Sequence, residues 1–403
     1  MRELRVDAFE DLVTLDALFV LQLHTGNELL LPRLGVFECE AVSGAFVPFL
    51  PLFLSPKTVK IDLKFAANAP TFMLASTIAR FSKLCPNIQY LLLDRLPRHQ
   101  IITDVVSELA LACNRDTLQC FGVDSPLTEE ARRFLHTLPD LRRLWAVIQG
   151  PMLLSPVVLP NLRQIFVEWD SGRDWLQGFR GATFGKLERI TFQPPSGSAQ
   201  TDGFLEDFQR VALATSLQNT LSEFSVWTSQ PWNPNYSSLL IFNQMEELEI
   251  EFSCHNGCSS TVNDDIVTSL ARAMPKLEIL RLGKAPCSAL TGVTLRGLVA
   301  LAGHCPQLSE LRIHIQAGEL GEAAATGIEL PRPSGNAAVI LRTDCALTVL
   351  QVGEAPIPQE VVLAVAQTLL EVFPQIHNIE YTEPLWESVV EIIERYQTDQ
   401  RPC

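Results

Sequence analysis

One pattern of apolar and polar positions recurs along the chain. In PKLEILRL, residues 275–282, and PQLSELRI, residues 306–313, the third, sixth and eighth residues are apolar. The first of these apolar positions is called the anchor below. The polar and apolar residues that alternate after the anchor predict a short strand with one buried face.

The same pattern occurs in fourteen copies, including the truncated copy MRELRV at the start. The steps between anchors average about 29 residues and range from 21 to 39, which is typical of long, irregular strand–helix repeats. The anchors are Met1, Leu34, Thr58, Ile88, Leu118, Leu141, Leu162, Leu187, Leu221, Met245, Leu277, Leu308, Leu347 and Ile376.

A helix-to-strand turn is predicted before each anchor. Proline stands two residues before the anchor in eight copies, and Gly or Asn stands there in three others. Proline cannot continue a helix, and Gly and Asn adopt the left-handed conformation that ends one. The preceding segments have helical periodicity, as in 263–274 and 127–138, with Asn263 and Thr128 as predicted N-caps.

Repeated strand–helix units cannot bury their apolar faces alone, so neighbouring units are expected to stack. The sequence therefore predicts an α/β fold and a single domain over 1–403. In this solenoid a parallel sheet forms the concave face and helices form the convex face. Long or Gly-, Pro- and Ser-rich steps predict insertion loops at about 193–204, 227–238, 252–264 and 316–338. The chain resembles a leucine-rich-repeat horseshoe of the ribonuclease-inhibitor type, with about 13–14 irregular repeats.

Composition excludes several classes of partner. The chain has 31 Lys and Arg against 46 Asp and Glu, a net charge of −15, which disfavours nucleic acid and anionic membranes. Its most apolar run, 45–54, has ten residues and two prolines, whereas a membrane span needs roughly 20 apolar residues. The first eleven residues include four acids and no signal-peptide pattern. We expect a cytoplasmic or nuclear protein.

No motif for catalysis, a cofactor or a metal stands out. Cys254, His255 and Cys258 lack the second ligand pair of a structural zinc site, and Gly181 and Gly185 are too close for a phosphate-binding loop. A set of cysteines just before anchors predicts buried structural thiols rather than reactive ones. These are Cys85, Cys113, Cys305 and Cys345. We expect no enzyme, no cofactor and no metal.

The strand positions two, four and six after each anchor are expected to face the concave surface, where solenoids usually bind. Exposed aromatic residues are typical anchors of interfaces, and charges beside them set specificity. The alternative is that the aromatic rings pack on each other and the charges pair across strands. The predicted protein-binding residues are Arg143, Trp145, Phe166, Glu168, Trp227, Glu247, Glu249, Glu251, Arg281, Arg312 and His314.

The turns LCPNIQYLLL and HCPQLSELRIHI and the acidic composition resemble the leucine-rich-repeat portion of fungal F-box-like proteins. The resemblance implies a substrate-recognition module that works with a Skp adaptor and a cullin. An F-box usually opens with a Leu-Pro pair before a helix-rich stretch, whereas the Leu-Pro pair in LLLPRLGVFE lies at a predicted turn of a repeat. Two alternatives stay open: a fragment of a longer F-box protein, or a binding or regulatory scaffold unrelated to ubiquitin. The latter class includes GTPase activators, for which Arg180 is a candidate.

Overall fold

The computed structural model has an α/β fold with a parallel sheet of 14 strands that follow the order of the chain. The chain divides into two compact units, Met1–Glu188 and Arg189–Cys403, so the single domain over 1–403 stays a prediction. The structure describes residues 2–8, 13–25, 29–148, 158–169, 182–193, 203–228, 232, 234–252, 262–283, 293–316, 345–353 and 355–399.

In unit 1, strands of five to seven residues in the large sheet alternate with short helices. The strands of its part of the sheet are β1 Glu3–Ala8, β2 Val36–Val42, β3 Lys60–Phe65, β4 Tyr90–Asp94, β5 Cys120–Pro126, β6 Arg143–Ile148 and β8 Gln164–Trp169. A separate parallel pair consists of β7 Val158–Leu159 and β9 Thr183–Phe184. The α-helices are α1 Leu15–Thr25, α2 Thr71–Ile78, α3 Phe81–Leu84, α4 Gln100–Ala112 and α5 Glu129–Leu135.

Unit 2 has the same alternation of strand and helix. Its strands are β10 Arg189–Gln193, β11 Glu223–Thr228, β12 Glu247–Phe252, β13 Ile279–Leu282, β14 Glu310–Arg312, β15 Val349–Gly353 and β16 Asn378–Tyr381. Its α-helices are α6 Phe204–Thr215, α7 Asp264–Ala273, α8 Leu295–His304, α9 Val362–Val372 and α10 Leu385–Asp399.

The anchors set where the strands begin. Each of the 14 strands starts two residues after its anchor, as β13 at Ile279 does after Leu277. The thirteen described anchors are at most 2% exposed, and the next inward position on each strand, such as Leu280, is also buried. The third inward positions of β1 and β16, Val6 and Tyr381, are half-buried, the latter where the register between β15 and β16 shifts. The predicted pattern of buried strand positions is otherwise confirmed.

Buried polar side chains connect each turn to the previous one. The Thr58 and Ser55 hydroxyls donate to the Leu34 carbonyl at 2.9 and 3.1 Å. The Cys345 thiol contacts the Cys305 and Leu308 carbonyls at 3.7 Å. These contacts give carbonyl groups of the preceding turn a side-chain donor.

The cysteines predicted to be structural are all free and buried: Cys85, Cys113, Cys305 and Cys345. Burial raises the pKa of the Cys305 thiol to about 12, which keeps it protonated and unreactive at neutral pH.

The helices pack on one side of the strands. The Phe208 ring of α6 stacks on Phe224 of β11, with ring centroids 4.7 Å apart. The predicted caps are confirmed, because the Asn263 side chain accepts from Ile266 N at 2.9 Å and Thr128 accepts from Ala131 N at 3.3 Å. The other side of the strands carries no helix within either described unit.

Asp264, at the start of α7, extends the capping to the next helix. Its carboxylate accepts from Thr294 N at 2.8 Å, from Thr294 Oγ1 at 2.6 Å and from Gly297 N at 3.1 Å. A Cβ on Gly297 would lie 2.6 Å from this carboxylate, so glycine is required for the close approach. The α7–α8 contact is thus held by a charge-assisted cap as well as by apolar packing.

The flanks of the predicted insertions match the element boundaries. Strand β10 ends at Gln193 and α6 begins at Phe204, while β12 ends at Phe252 and α7 begins at Asp264. A 3-10 helix, Tyr236–Leu239, overlaps the end of the loop predicted at 227–238. Residues 194–202, 253–261 and 317–344 lie outside the described residues. In the part of the chain that is described, no helix has the length and apolar character that crossing a membrane requires.

The register of β13 can be tested with two neighbouring substitutions. Leu280 is fully buried and Ile279 is half-buried on the opposite face. We expect Leu280→Ala to lower the free energy of unfolding by about 2–5 kcal/mol, because it leaves a cavity. Ile279→Ala should cost about 1 kcal/mol or less. Urea unfolding of both variants measures the difference. A larger loss for Ile279→Ala would mean that the strand is shifted by one residue.

Candidate functional site

The side of the strands without helices is called the open face, and it carries the positions two, four and six after each anchor. The structure places all eleven predicted binding residues at these positions. In unit 1 they are Arg143, Trp145, Phe166 and Glu168. In unit 2 they are Trp227, Glu247, Glu249, Glu251, Arg281, Arg312 and His314, the last lying two residues beyond β14.

The aromatic residues of unit 1 form a pair rather than two exposed rings. Trp145 and Phe166 are register partners on β6 and β8, and their ring centroids lie 4.7 Å apart at 58°. Both are half-buried. Gly122, on the neighbouring strand, leaves room for this packing, because a Cβ there would lie 2.4 Å from Leu92 Cδ1 and 3.2 Å from Trp145 Cβ. For this pair the structure therefore has the alternative arrangement, in which the aromatic rings pack on each other.

Glu168 is more buried than its strand position predicts. It is 7% exposed, and Arg98 donates a hydrogen bond to its Oε1. Arg98 belongs to the segment between β4 and α4, so the strand periodicity gives no signal for it. Arg143 stays exposed, whereas Val147, expected to face outward as well, is buried where the register between β5 and β6 shifts.

Two carboxylates at the ends of β4 and β5 form a further feature of unit 1. Asp124 Oδ1 accepts from Leu96 N at 2.8 Å, and Asp94 Oδ1 accepts from Arg95 N at 2.8 Å. Burial raises the pKa of Asp124 to about 6 against the opposing effect of the Leu96 hydrogen bond, and the negative charge of Asp94 adds to the rise. Counting six residues from the anchors Ile88 and Leu118 would have identified both acids.

In unit 2, Arg281 is the centre of a network of ion pairs. Its Nε and Nη2 donate to the two carboxylate oxygens of Glu310 at 2.7 and 2.8 Å. Its Nη1 donates to Glu249 Oε1 at 3.1 Å and lies 3.7 Å from Glu247 Oε1. The bond between Arg281 and Glu310 raises the pKa of the arginine and lowers that of the glutamate. The predicted charges are thus paired across adjacent strands.

Glu249 connects this network to Trp227. The indole Nε1 donates to Glu249 Oε2 at 2.8 Å, so both oxygens of this carboxylate are engaged. Glu249 is 7% exposed, whereas Trp227 remains 39% exposed. The indole is therefore held in a fixed position with part of its ring available to a partner.

The remaining predicted residues of this face lie next to the network. Arg312 donates to Glu251 Oε1 and to Gln351 Oε1. His314 is half-buried, and burial lowers its pKa. A lowered pKa keeps the imidazole neutral at physiological pH.

The described residues contain no group of three or more His, Cys, Asp or Glu side chains that could hold a metal ion. Cys254, His255, Cys258 and Arg180 lie outside the described residues. No protein-family model matches the chain, and no curated protein matches it. The geometry of the site consists of fixed ion pairs and aromatic rings on a sheet face, which is an arrangement suited to recognition by contact.

The buried position of Glu249 leads to a stability prediction. Glu249→Gln keeps the shape of the side chain and removes its charge, leaving Arg281 with less compensation. We expect a loss of about 1.5–3 kcal/mol in the free energy of unfolding, since the substitution removes a charge-assisted hydrogen bond of a buried carboxylate while Arg281 keeps its pair with Glu310. Glu251→Gln is the matched control, and its more exposed pair should cost about 1 kcal/mol or less. Equal losses in urea unfolding would contradict the bridging role of Glu249.

The raised pKa of Asp124 leads to a pH prediction. Between the ordinary value of 3.8 and the folded value of about 6, the folded state binds more protons than the unfolded state. The contribution of Asp124 to stability therefore falls as pH rises through this window. Relative to Asp124→Asn, the wild type should lose about 1–3 kcal/mol between pH 4 and 7. Urea unfolding at several pH values measures it, and a constant difference between the two proteins would contradict the burial of this acid.

Proposed function

We propose that the chain is a non-enzymatic leucine-rich-repeat scaffold that recognises a protein partner through the open face of its sheet. The observation that carries the proposal is the regularity of the strands. Each begins two residues after its anchor, pairs in parallel with its neighbours and has one face covered by helices. The opposite face is left with aromatic and charged side chains in fixed positions.

Recognition would depend on a rigid surface. Interface energy is concentrated in buried aromatic and arginine anchors, while neighbouring charges select the partner and orient it. Trp227 and Arg143 are the exposed aromatic and basic residues among the predicted positions. Because the ion pairs already hold the side chains in place, little conformational entropy would be lost when a partner binds.

The F-box part of the proposal rests on resemblance. The turns LCPNIQYLLL and HCPQLSELRIHI and the acidic composition support a substrate-recognition module of an F-box ubiquitin ligase. Such a module would be recovered with a Skp adaptor and a cullin. A stand-alone binding scaffold with no link to ubiquitin would use the same face, but it would not be recovered with a Skp adaptor and a cullin.

Affinity purification of the tagged chain from its native cells tests the proposal. We expect a partner whose recovery falls at least several-fold with Trp227→Ala or Arg143→Glu, which change the open face of unit 2 and unit 1. Leu213→Ala is the matched control, because Leu213 is an exposed apolar residue on α6.

The outcome separates the alternatives. Recovery of a Skp adaptor and a cullin would support the ligase function, whereas another partner without them would indicate a stand-alone scaffold. A partner that binds both open-face variants as well as the wild type would contradict recognition through this face.

A further inference from the structure

The open face of unit 2 has an excess of negative charge. In its described strands, the positions two, four and six after the anchors carry six glutamates and three arginines. The glutamates are Glu223, Glu247, Glu249, Glu251, Glu310 and Glu380, and the arginines are Arg189, Arg281 and Arg312. The helices cover the opposite side, so these charges face the space that a partner would enter.

The arginines do not compensate all of these carboxylates. Arg189 pairs with Glu223, Arg312 pairs with Glu251, and Arg281 makes its closest contacts with Glu310 and Glu249. Glu247 lies 3.7 Å from Arg281 Nη1, farther than Glu249 or Glu310, and the positive charges of Arg189 and Arg281 offset its neighbouring carboxylates only in part. It also lies between Glu223 and Glu249, and burial together with these neighbouring charges raises its pKa. An additional cation beside Glu247 would relieve this repulsion.

The second feature is the position of Trp227. It is the register neighbour of Glu251, and its indole is held by Glu249 with 39% of the residue exposed. Two strand positions next to it carry the small side chains of Thr191 and Ser225. A fixed aromatic face beside a carboxylate is a favourable site for a guanidinium or ammonium group.

We propose that the open face of unit 2 binds a basic, extended segment of a partner protein. One Lys or Arg of this segment would lie beside Glu247, and a second would lie over the Trp227 ring beside Glu251. Glu247 and Glu251 are four residues apart on β12, about 13 Å at the rise of a strand, so the two cations would be about four residues apart. The proposal rests on the proposed function and specifies the chemistry of the partner.

Charge also argues against two other occupants. A second copy of this chain would bring another net charge of −15 to an acidic surface. A phosphate backbone would meet the same repulsion. A basic peptide segment is complementary both to the row of glutamates and to the aromatic ring.

The test is to pan the purified full chain with a library of short random peptides displayed on phage. We expect the enriched peptides to carry two basic residues about four positions apart. Their affinity should fall about ten-fold with Trp227→Ala, which corresponds to ~1.4 kcal/mol. Glu247→Gln and Glu251→Gln should weaken them in the same direction, while keeping the shape of the side chains. Asp62→Asn, which removes one negative charge from the open face of unit 1, is the matched control and should leave their affinity unchanged.

Two results would overturn the inference. One is enrichment of neutral or acidic peptides that compete for Trp227, and the other is a set of basic peptides that bind every variant alike. In either case the proposed function is judged separately, by whether the partner recovered from native cells is lost with the open-face variants. Loss of that partner without a preference for basic peptides would reject only the inference. Retention of the partner by every open-face variant would reject the proposed function.

Discussion

Burial of the anchor is the constraint on which the rest of each strand–helix repeat depends. Burying one leucine contributes about 1.5–3 kcal/mol, and a single strand of three to seven residues with one short helix cannot enclose it. Leu277, for example, is fully buried, which a single strand–helix repeat could not achieve. Once the anchor is inside the turn, the alternation of the strand sends the positions two, four and six after it to the opposite side. The open face is thus a geometric consequence of the core.

The same constraint shapes the electrostatics of the open face. Parallel strands lie about 4.8 Å apart, so charges on adjacent strands cannot avoid each other. In unit 2, Arg281 lies between Glu249 and Glu310 and donates to both carboxylates. Exposed pairs of this kind contribute little to stability, but Glu249 is almost fully buried and its pairing is obligatory. The network therefore fixes side-chain positions more than it stabilises the fold.

Most of the fold could be predicted from the sequence because its signals are local. The anchors, the turns and the Asn263 and Thr128 caps each depend on a few consecutive residues, and the structure agrees with them. The open-face residues followed from the same count. The contacts of these residues could not be predicted in this way, because they depend on residues distant in sequence. Arg98, for example, donates to Glu168 from the segment between β4 and α4. Likewise, the burial of Val147, whose strand position predicts an exposed side chain, leaves no mark in the periodicity.

The specificity of such a face would come from local charge rather than from the charge of the whole chain. At physiological ionic strength the Debye length is about 8 Å, so the net charge of −15 attracts basic molecules only weakly at a distance. At contact, the charge of each individual side chain of the face interacts directly with the partner. A uniformly basic partner would place a cation against Arg281, whose guanidinium already has its own carboxylates. Only a partner whose cations avoid that position and meet the undercompensated glutamates gains without repulsion. The arginines in the row therefore exclude partners as effectively as the glutamates attract them.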